Sequence, residues 1–356
     1  MIVLDVIKVF IPTVAAFSIG MILAPFISDF LYANKMWKKK SGNTGSITGG
    51  DTPIFNKLHK TKDTGTPRMG GIIIWLSVLV TVFIFATLGA IFPDTLAEKL
   101  NFLSRNQTWI PFVTLILGSL LGLLDDLLTV SASGGYVGGG LSLLRVRIPL
   151  IALMGLLIGS WFFFKLDVSS IAIPFLGDLG LGLLFIPFFS LVMVALFSGG
   201  VIDGIDGLAG GIIATVFFSY AVIAFFQNQI DLAAFSAVVS GGTLAFLWFN
   251  IPPARFYMTE TGIIGLTTCL TVVAFLTDQV LVLPIIALPL FLASGSVILQ
   301  LVSKKLRGGK KIFLVAPIHH HFEAIGWPSY KVTMRFWIIT ILSSIFGTVI
   351  ALVGGL

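Results

Sequence analysis

The 356-residue sequence predicts an all-α polytopic membrane protein of about ten transmembrane helices, with both termini outside and the motif-bearing loops in the cytoplasm. Three observations lead there. Hydrophobic residues make up 56% of the chain and charged residues 11%, against about 25% charged in a soluble domain. The mean hydropathy is +1.04. The apolar residues fall in runs of about 20, the length of a membrane-crossing helix, without the period-2 alternation of a barrel strand. These figures exclude a soluble enzyme, a disordered chain and a disulfide scaffold. The single cysteine, Cys269, sits in an apolar run and reads as a small core hydrophobe. The net charge of +6 fits a membrane bias, with no nucleic-acid partner. The whole chain, 1–356, reads as one integral membrane domain.

The first run, roughly 7–32, is too long for the apolar region of a cleaved signal and has no small-residue cleavage site behind it, so it counts as the first span. Runs follow at roughly 70–92, 110–128, 147–164 and 179–198. Five more lie at roughly 207–226, 232–249, 263–277, 280–302 and 334–354. The third ends on Asp125 and Asp126, and the eighth is short.

Lysine and arginine set the orientation. Eighteen of the 22 basic residues fall in the loops after spans one, three, seven and nine or at the next helix start, which makes that side cytoplasmic. Only Lys8, Lys99, Arg105 and Lys165 lie on the other side. Asp5, Asp94, Glu98, Asp167, Asp178, Asp231 and Asp278 also fall there, in short loops and span ends, and read as solvated charges.

Five motifs hold the remaining polar residues. Asp125 and Asp126 are adjacent carboxylates at a membrane boundary, where ionisable groups are costly and functional by default. Hard oxygen ligands of this kind suit Mg²⁺; the plain alternative is a solvated helix end. Asp203 and Asp206 are three residues apart, on one face of a helical turn, among glycines that let a ligand approach the backbone. Exposed amides at the start of the next span suit a phosphate. Segment 248–262 gathers Asn250, Arg255, Tyr257 and Glu260, with Tyr257 placed to stack on a base and Glu260 to join a metal site. Three of the four histidines are consecutive, His319, His320 and His321. Consecutive side chains point apart, so one or two of them meeting a phosphate or a metal-held water fits better than a three-histidine zinc site. Segment 65–71 supplies Arg68, a fixed cation beside glycines that suits a phosphate. His59 stands alone in a basic loop. All five motifs fall on the cytoplasmic side. One inner-face site of acids, cations and histidines suits Mg²⁺-assisted phosphoryl transfer from an anionic donor to a lipid acceptor.

Segment 316–323 (APIHHHFE) with Gly326-Trp327-Pro328, segment 246–250, the Asp203/Asp206 motif and segment 301–308 resemble the polyprenyl-phosphate N-acetylhexosamine-1-phosphate transferase superfamily, above all its muramoyl-pentapeptide branch. The resemblance covers nearly the whole chain. It implies UDP-MurNAc-pentapeptide as donor, undecaprenyl phosphate as acceptor, lipid I and UMP as products, Mg²⁺ as cofactor, a bacterial inner-membrane setting among membrane lipids, and a homodimer. It implies that Asp125 and Asp126 bind or activate the polyprenyl phosphate, Asp125 being the better candidate for general base. Asp203 and Glu260 would hold Mg²⁺, with Asp203 also linked to catalysis. Asp206 would contact the uridine, with Asn250 and Tyr257 around the nucleoside. His320, as a catalytic residue, and His321 would meet the donor phosphates or sugar, and His319 beside them is a further candidate for substrate binding; Arg68 and Lys62, at or next to positions that depart from the superfamily, are candidate cations for the phosphates. Five positions depart from the superfamily: Glu260 stands for Asp, Asp63 for Lys, Arg68 for Thr, Thr129 for Lys and Gly200 for Asn. Rival readings are a UDP-GlcNAc-type transferase, an inactive relative and a lipid transporter. A transporter would place its charges near the midplane, in broken helices with internal repeats; here they cluster at the inner ends and no repeat is seen.

Overall fold

A computed structural model describes residues 2–38, 65–104, 107–131 and 143–355. Lys62, His59 and Asp63 lie outside the described residues. The elements in chain order are α1 (Ile2–Ala33), α2 (Ile72–Ile91), α3 (Leu96–Leu100), α4 (Trp109–Val130) and α5 (Ile148–Lys165). A small hairpin follows, β1 (Ser170–Ile173) with β2 (Gly177–Gly180), pairing Ser170 with Gly180 and Ile173 with Gly177. Then come α6 (Phe185–Gly199), α7 (Leu208–Phe226), α8 (Ile230–Asn250), α9 (Thr259–Leu276), α10 (Leu283–Ile286), α11 (Leu288–Leu306), α12 (Ile318–Ala324) and α13 (Ser329–Val353).

Nine helices among the described residues are long and apolar enough to cross a membrane, and they fall on nine of the ten expected spans. The run 280–302 differs. It breaks at Ala287 into α10 and α11, each opening with a proline in its first turn, Pro284 and Pro289, which lacks the N–H a helix interior needs. The Ser344 hydroxyl, partway along α13, donates to the Ile286 carbonyl at 3.0 Å. Leu290 packs on Gly199 at the end of α6. The chain therefore passes from the Thr277 end to the end that carries α12 as two helices joined at Ala287.

The helix ends alternate between two faces. At one, the Tyr32 hydroxyl at the end of α1 donates to the Arg255 carbonyl at 2.9 Å, and Thr333 in the first turns of α13 reaches the Asp206 carbonyl at 3.2 Å. At the other, Lys8 near the start of α1 pairs with Asp231 of α8 at 2.5 Å. Gln227 after α7 donates to the Thr277 carbonyl after α9 at 2.9 Å, and the hairpin's Phe175 amide donates to Gly354 at 3.1 Å. In a bilayer every backbone polar group must be satisfied within the segment, which is why long apolar runs take this form. Helices α7, α8 and α9 are apolar and buried on nearly all sides, whereas α1, α5 and α13 turn apolar side chains such as Phe26, Phe164 and Phe346 outward.

Close packing of α4 on α9 sets the site. A side-chain carbon at Gly122 would fall 2.0 Å from the Glu260 carbonyl oxygen. Gly122→Ala must therefore push the two helices apart. It is expected to destabilise the protein by at least about 1–3 kcal/mol, read as a lower thermal unfolding midpoint in detergent.

Candidate active site

The site lies at the face where α4, α6 and α8 end and α2, α5, α7, α9 and α13 begin. Helix α9 starts at Thr259, earlier than the sequence pattern indicated, and this draws Glu260 and Thr261 into its first turn. The first-turn amides of a helix have no intrahelical acceptor. No side chain of its own caps α9. Carboxylates from two other segments accept these amides: Asp203 takes Thr259 N–H at 2.9 Å and Asp126 takes Thr261 N–H at 2.9 Å.

Asp126 is fully buried and fully occupied. Its Oδ2 also accepts the hydroxyls of Thr259 at 2.5 Å and Thr261 at 2.7 Å. Its Oδ1 accepts Arg68 Nε at 3.2 Å and Nη2 at 3.0 Å. Burial works against the Arg68 charge, but the Asp126 carboxylate outweighs it and lifts Arg68 above the ordinary arginine value. Arg68 Nη1 makes no hydrogen bond among the described residues, so its donors remain for another anion.

Asp125 turns to a second arginine. Arg147 Nη2 lies 2.9 Å from Asp125 Oδ2, and Arg147 Nη1 hydrogen-bonds Glu260 Oε1. One guanidinium thus bridges two carboxylates from different helices, a fork geometry that lysine does not reproduce. Arg147 is a site residue that the sequence reading used only as a topology-setting charge. Its local sequence carries no sign of this role.

The Asp203 loop meets the histidines. A side-chain carbon at Gly204 would fall 2.5 Å from His320 Nε2 and 2.8 Å from His319 Nε2, so only the bare backbone lets both imidazoles lie on it. Their ring centroids are 4.2 Å apart. Glu323 Oε2 is 2.7 Å from His320 Nδ1, and Ser329 donates to Glu323 Oε1 at 2.6 Å. This chain fixes the His320 ring with Nε2 toward the loop. His321 diverges: its Nδ1 accepts the Leu314 amide at 3.2 Å and its ring lies against Phe313. Burial raises the Asp203 carboxyl from 3.8 to about 6, against the lowering pull of the Thr259 amide and the Arg68 charge.

Asp206 Oδ2 accepts the Ala254 amide at 3.4 Å. Asn250 is buried, accepts Gly207 N–H at 2.9 Å and donates to the Phe256 carbonyl at 2.9 Å. Gly207 itself has φ +75°, a left-handed conformation that favours glycine. The half-buried Tyr257 ties the third motif to the fifth through its backbone, donating to Pro67 O at 2.9 Å and accepting from Gly70 at 2.8 Å. The structure thus gathers Arg68, Asp125, Asp126, Asp203, Asp206, Asn250, Tyr257, Glu260, His319 and His320 at one face. Asn250→Ala would strand the Gly207 amide and the Phe256 carbonyl. A loss of about 1–3 kcal/mol per group is expected, measured as a lower unfolding midpoint with transferase activity falling in step.

Among the described residues no three His, Cys, Asp or Glu side chains converge as a ready metal cage. Magnesium does not require one, since it keeps several waters and takes one or two carboxylates with substrate phosphates. Asp203 and Asp206 make no salt bridge among the described residues, unlike Asp125, Asp126 and Glu260. Asp203, half-buried and held by one amide, has a donor chemistry that fits this ion.

A bundle of long apolar helices with acids, arginines and histidines at one end defines a polytopic membrane transferase, and the model of glycosyl transferase family 4 matches residues 108–278. Curated relatives are more specific. Phospho-N-acetylmuramoyl-pentapeptide-transferase of Listeria innocua is 34% identical over 302 residues, 83% of this chain and 87% of the relative. The same-named proteins of Bacillus subtilis and a Geobacillus species are 33% and 34% identical, covering 93% and 94% of this chain and 94% and 95% of their own lengths. The chain belongs to the phospho-N-acetylmuramoyl-pentapeptide-transferase family.

Proposed function

We propose that the protein transfers phospho-MurNAc-pentapeptide from UDP-MurNAc-pentapeptide to undecaprenyl phosphate in the bacterial inner membrane, giving lipid I and UMP for peptidoglycan synthesis. The observation that carries this reading is the meeting of Asp203, the His319/His320 pair and the Asp125–Arg147–Glu260 bridge at one end of the bundle. The excess of lysine and arginine in the loops on that side supports a cytoplasmic site with both termini outside.

Asp203 would hold Mg²⁺, with Glu260 as a second ligand when Arg147 turns to Asp125 alone. Bound there, the ion would neutralise charge on the donor pyrophosphate and on the departing UMP. Arg68, clamped by Asp126, presents its remaining donors to a phosphate oxygen. Asp126 acts through Arg68 and the start of α9. Asp125 takes the proton from the polyprenyl phosphate. That phosphate oxygen then bonds to the sugar-linked phosphorus while the bond from this phosphorus to the UMP oxygen breaks. His320, aimed by Glu323, steadies the pyrophosphate from the Gly204 side with His319 beside it, while His321, held at Leu314 and Phe313, keeps the loop in place. Asp206 and Tyr257 receive the uridine, and Asn250 holds the Gly207 and Phe256 backbone beside them.

Mass spectrometry of the lipid product tests the substrate. Purified protein given UDP-MurNAc-pentapeptide and undecaprenyl phosphate is expected to form lipid I. Product from UDP-GlcNAc alone would overturn the choice of sugar, and no lipid product from either donor would favour an inactive relative.

A further inference from the structure

We infer that the stretch from the end of α11 to the start of α13 is a binding surface for the headgroups of anionic phospholipids. Two separate clusters carry this. The first is the turn after α11, where Lys304, Lys305, Arg307, Lys310 and Lys311 fall within eight residues. The turn is built, not loose. Ser303 donates to the Lys310 carbonyl at 2.9 Å, and Gln300 accepts the amides of Ile312 at 2.9 Å and Phe313 at 3.0 Å. Lys305, Arg307, Lys310 and Lys311 are exposed on this scaffold and Lys304 is half-buried. None of them joins an ion pair among the described residues, and Glu323, the one carboxylate of this stretch, is turned inward to His320. The second cluster is Lys331 and Arg335, which lie over the Trp327 ring at 5.3 and 4.1 Å, the ring itself stacked on Phe322.

The identity of the occupant follows from what surrounds the charges. Leu306 is 76% exposed, Ile312 51% and Leu314 46%, interleaved with the first cluster. Exposed Tyr330 and Met334 flank the second. The apolar side chains run on into the outward face of α11 at Ile298, Leu299 and Val302. A soluble anion or an acidic protein explains the cations but not the apolar residues among them. An anionic lipid leaflet explains both, because basic groups take the headgroups while neighbouring apolar side chains enter the acyl boundary. Both clusters adjoin the histidine-bearing α12, so bound headgroups would brace it from either side.

The test needs neither donor nor acceptor, so its outcome is separate from that of the transfer reaction. The full-length protein is placed in phosphatidylcholine bilayers with trace spin-labelled phosphatidylglycerol or spin-labelled phosphatidylcholine, and the immobilised fraction of each label is measured. We expect a preference of about fivefold for phosphatidylglycerol. It should fall toward unity in the K305Q/R307Q/K310Q/K311Q variant, and to an intermediate value in K331Q/R335Q. If a variant fails to fold, about 1 M salt applied to the unaltered protein should collapse the preference, since charges are then screened within a few ångströms. Equal immobilisation of the two labels, or a preference that survives both the substitutions and the salt, would overturn the proposal.

Discussion

Asp203→Asn is expected to lower transferase turnover about 10²–10⁴-fold while leaving the fold intact. The amide keeps the size of the side chain and an oxygen for the Thr259 N–H, so the start of α9 stays capped. What goes is the negative charge that would bind the cation. The stability sign is opposite to the activity sign. Burial raises the Asp203 carboxyl from 3.8 to about 6, so the folded state holds its proton more tightly than the unfolded chain. Ionisation then costs stability, a cost absent below the unfolded value and complete above the folded one. The variant should therefore unfold at the same or a higher temperature than the unaltered protein, with the gap opening as pH rises from 3.8 to about 6. A thermal melt across that range beside a turnover assay at neutral pH separates a lost charge from a lost fold.

Arg147→Met is expected to be the most destabilising single change at the site. Asp125 is 1% exposed, and removing Arg147 leaves it and Glu260 as neighbouring acids without their shared cation. Breaking a buried pair in this way costs about 3–5 kcal/mol, because the abandoned charge stays out of water. The unfolding midpoint in detergent should fall steeply, and activity with it. Arg147→Met combined with Asp125→Asn and Glu260→Gln should recover much of the stability but not the turnover, since the base and a metal ligand are gone. A triple variant as unstable as the single one would show that Arg147 acts through packing and not through charge.

The sequence was legible where lipid imposes a rule. A bilayer accepts a backbone only as closed helices, so nine apolar runs read correctly as spans. The tenth, 280–302, looked the same in composition, but Pro284 and Pro289 each open a new helix, dividing it into a four-residue turn and a 19-residue helix. The acids were legible because charge is scarce: Asp125, Asp126, Asp203, Asp206 and Glu260 stood out against an apolar background, and the structure draws them to one face. Arg147 was hidden because it sat among eighteen basic residues that already had an explanation in topology. Its partners lie 22 and 113 positions away, beyond any local pattern. Glu323 was quoted in a motif without a role, since its link to His320 depends on a helical turn that places residues three apart on one face. Consecutive histidines were expected to point apart; His321 does turn away toward Phe313, but His319 and His320 lie together on the bare Gly204 backbone, a convergence the spacing did not indicate.

Release of UMP from UDP-MurNAc-pentapeptide, followed in nanodiscs with the purified protein, is the most direct test of the central claim that this cluster transfers a phospho-sugar to a lipid. The account predicts release that requires both Mg²⁺ and undecaprenyl phosphate and that nearly vanishes in Asp203→Asn. Release that persisted without the lipid acceptor, or at near-normal turnover in Asp203→Asn, would contradict it.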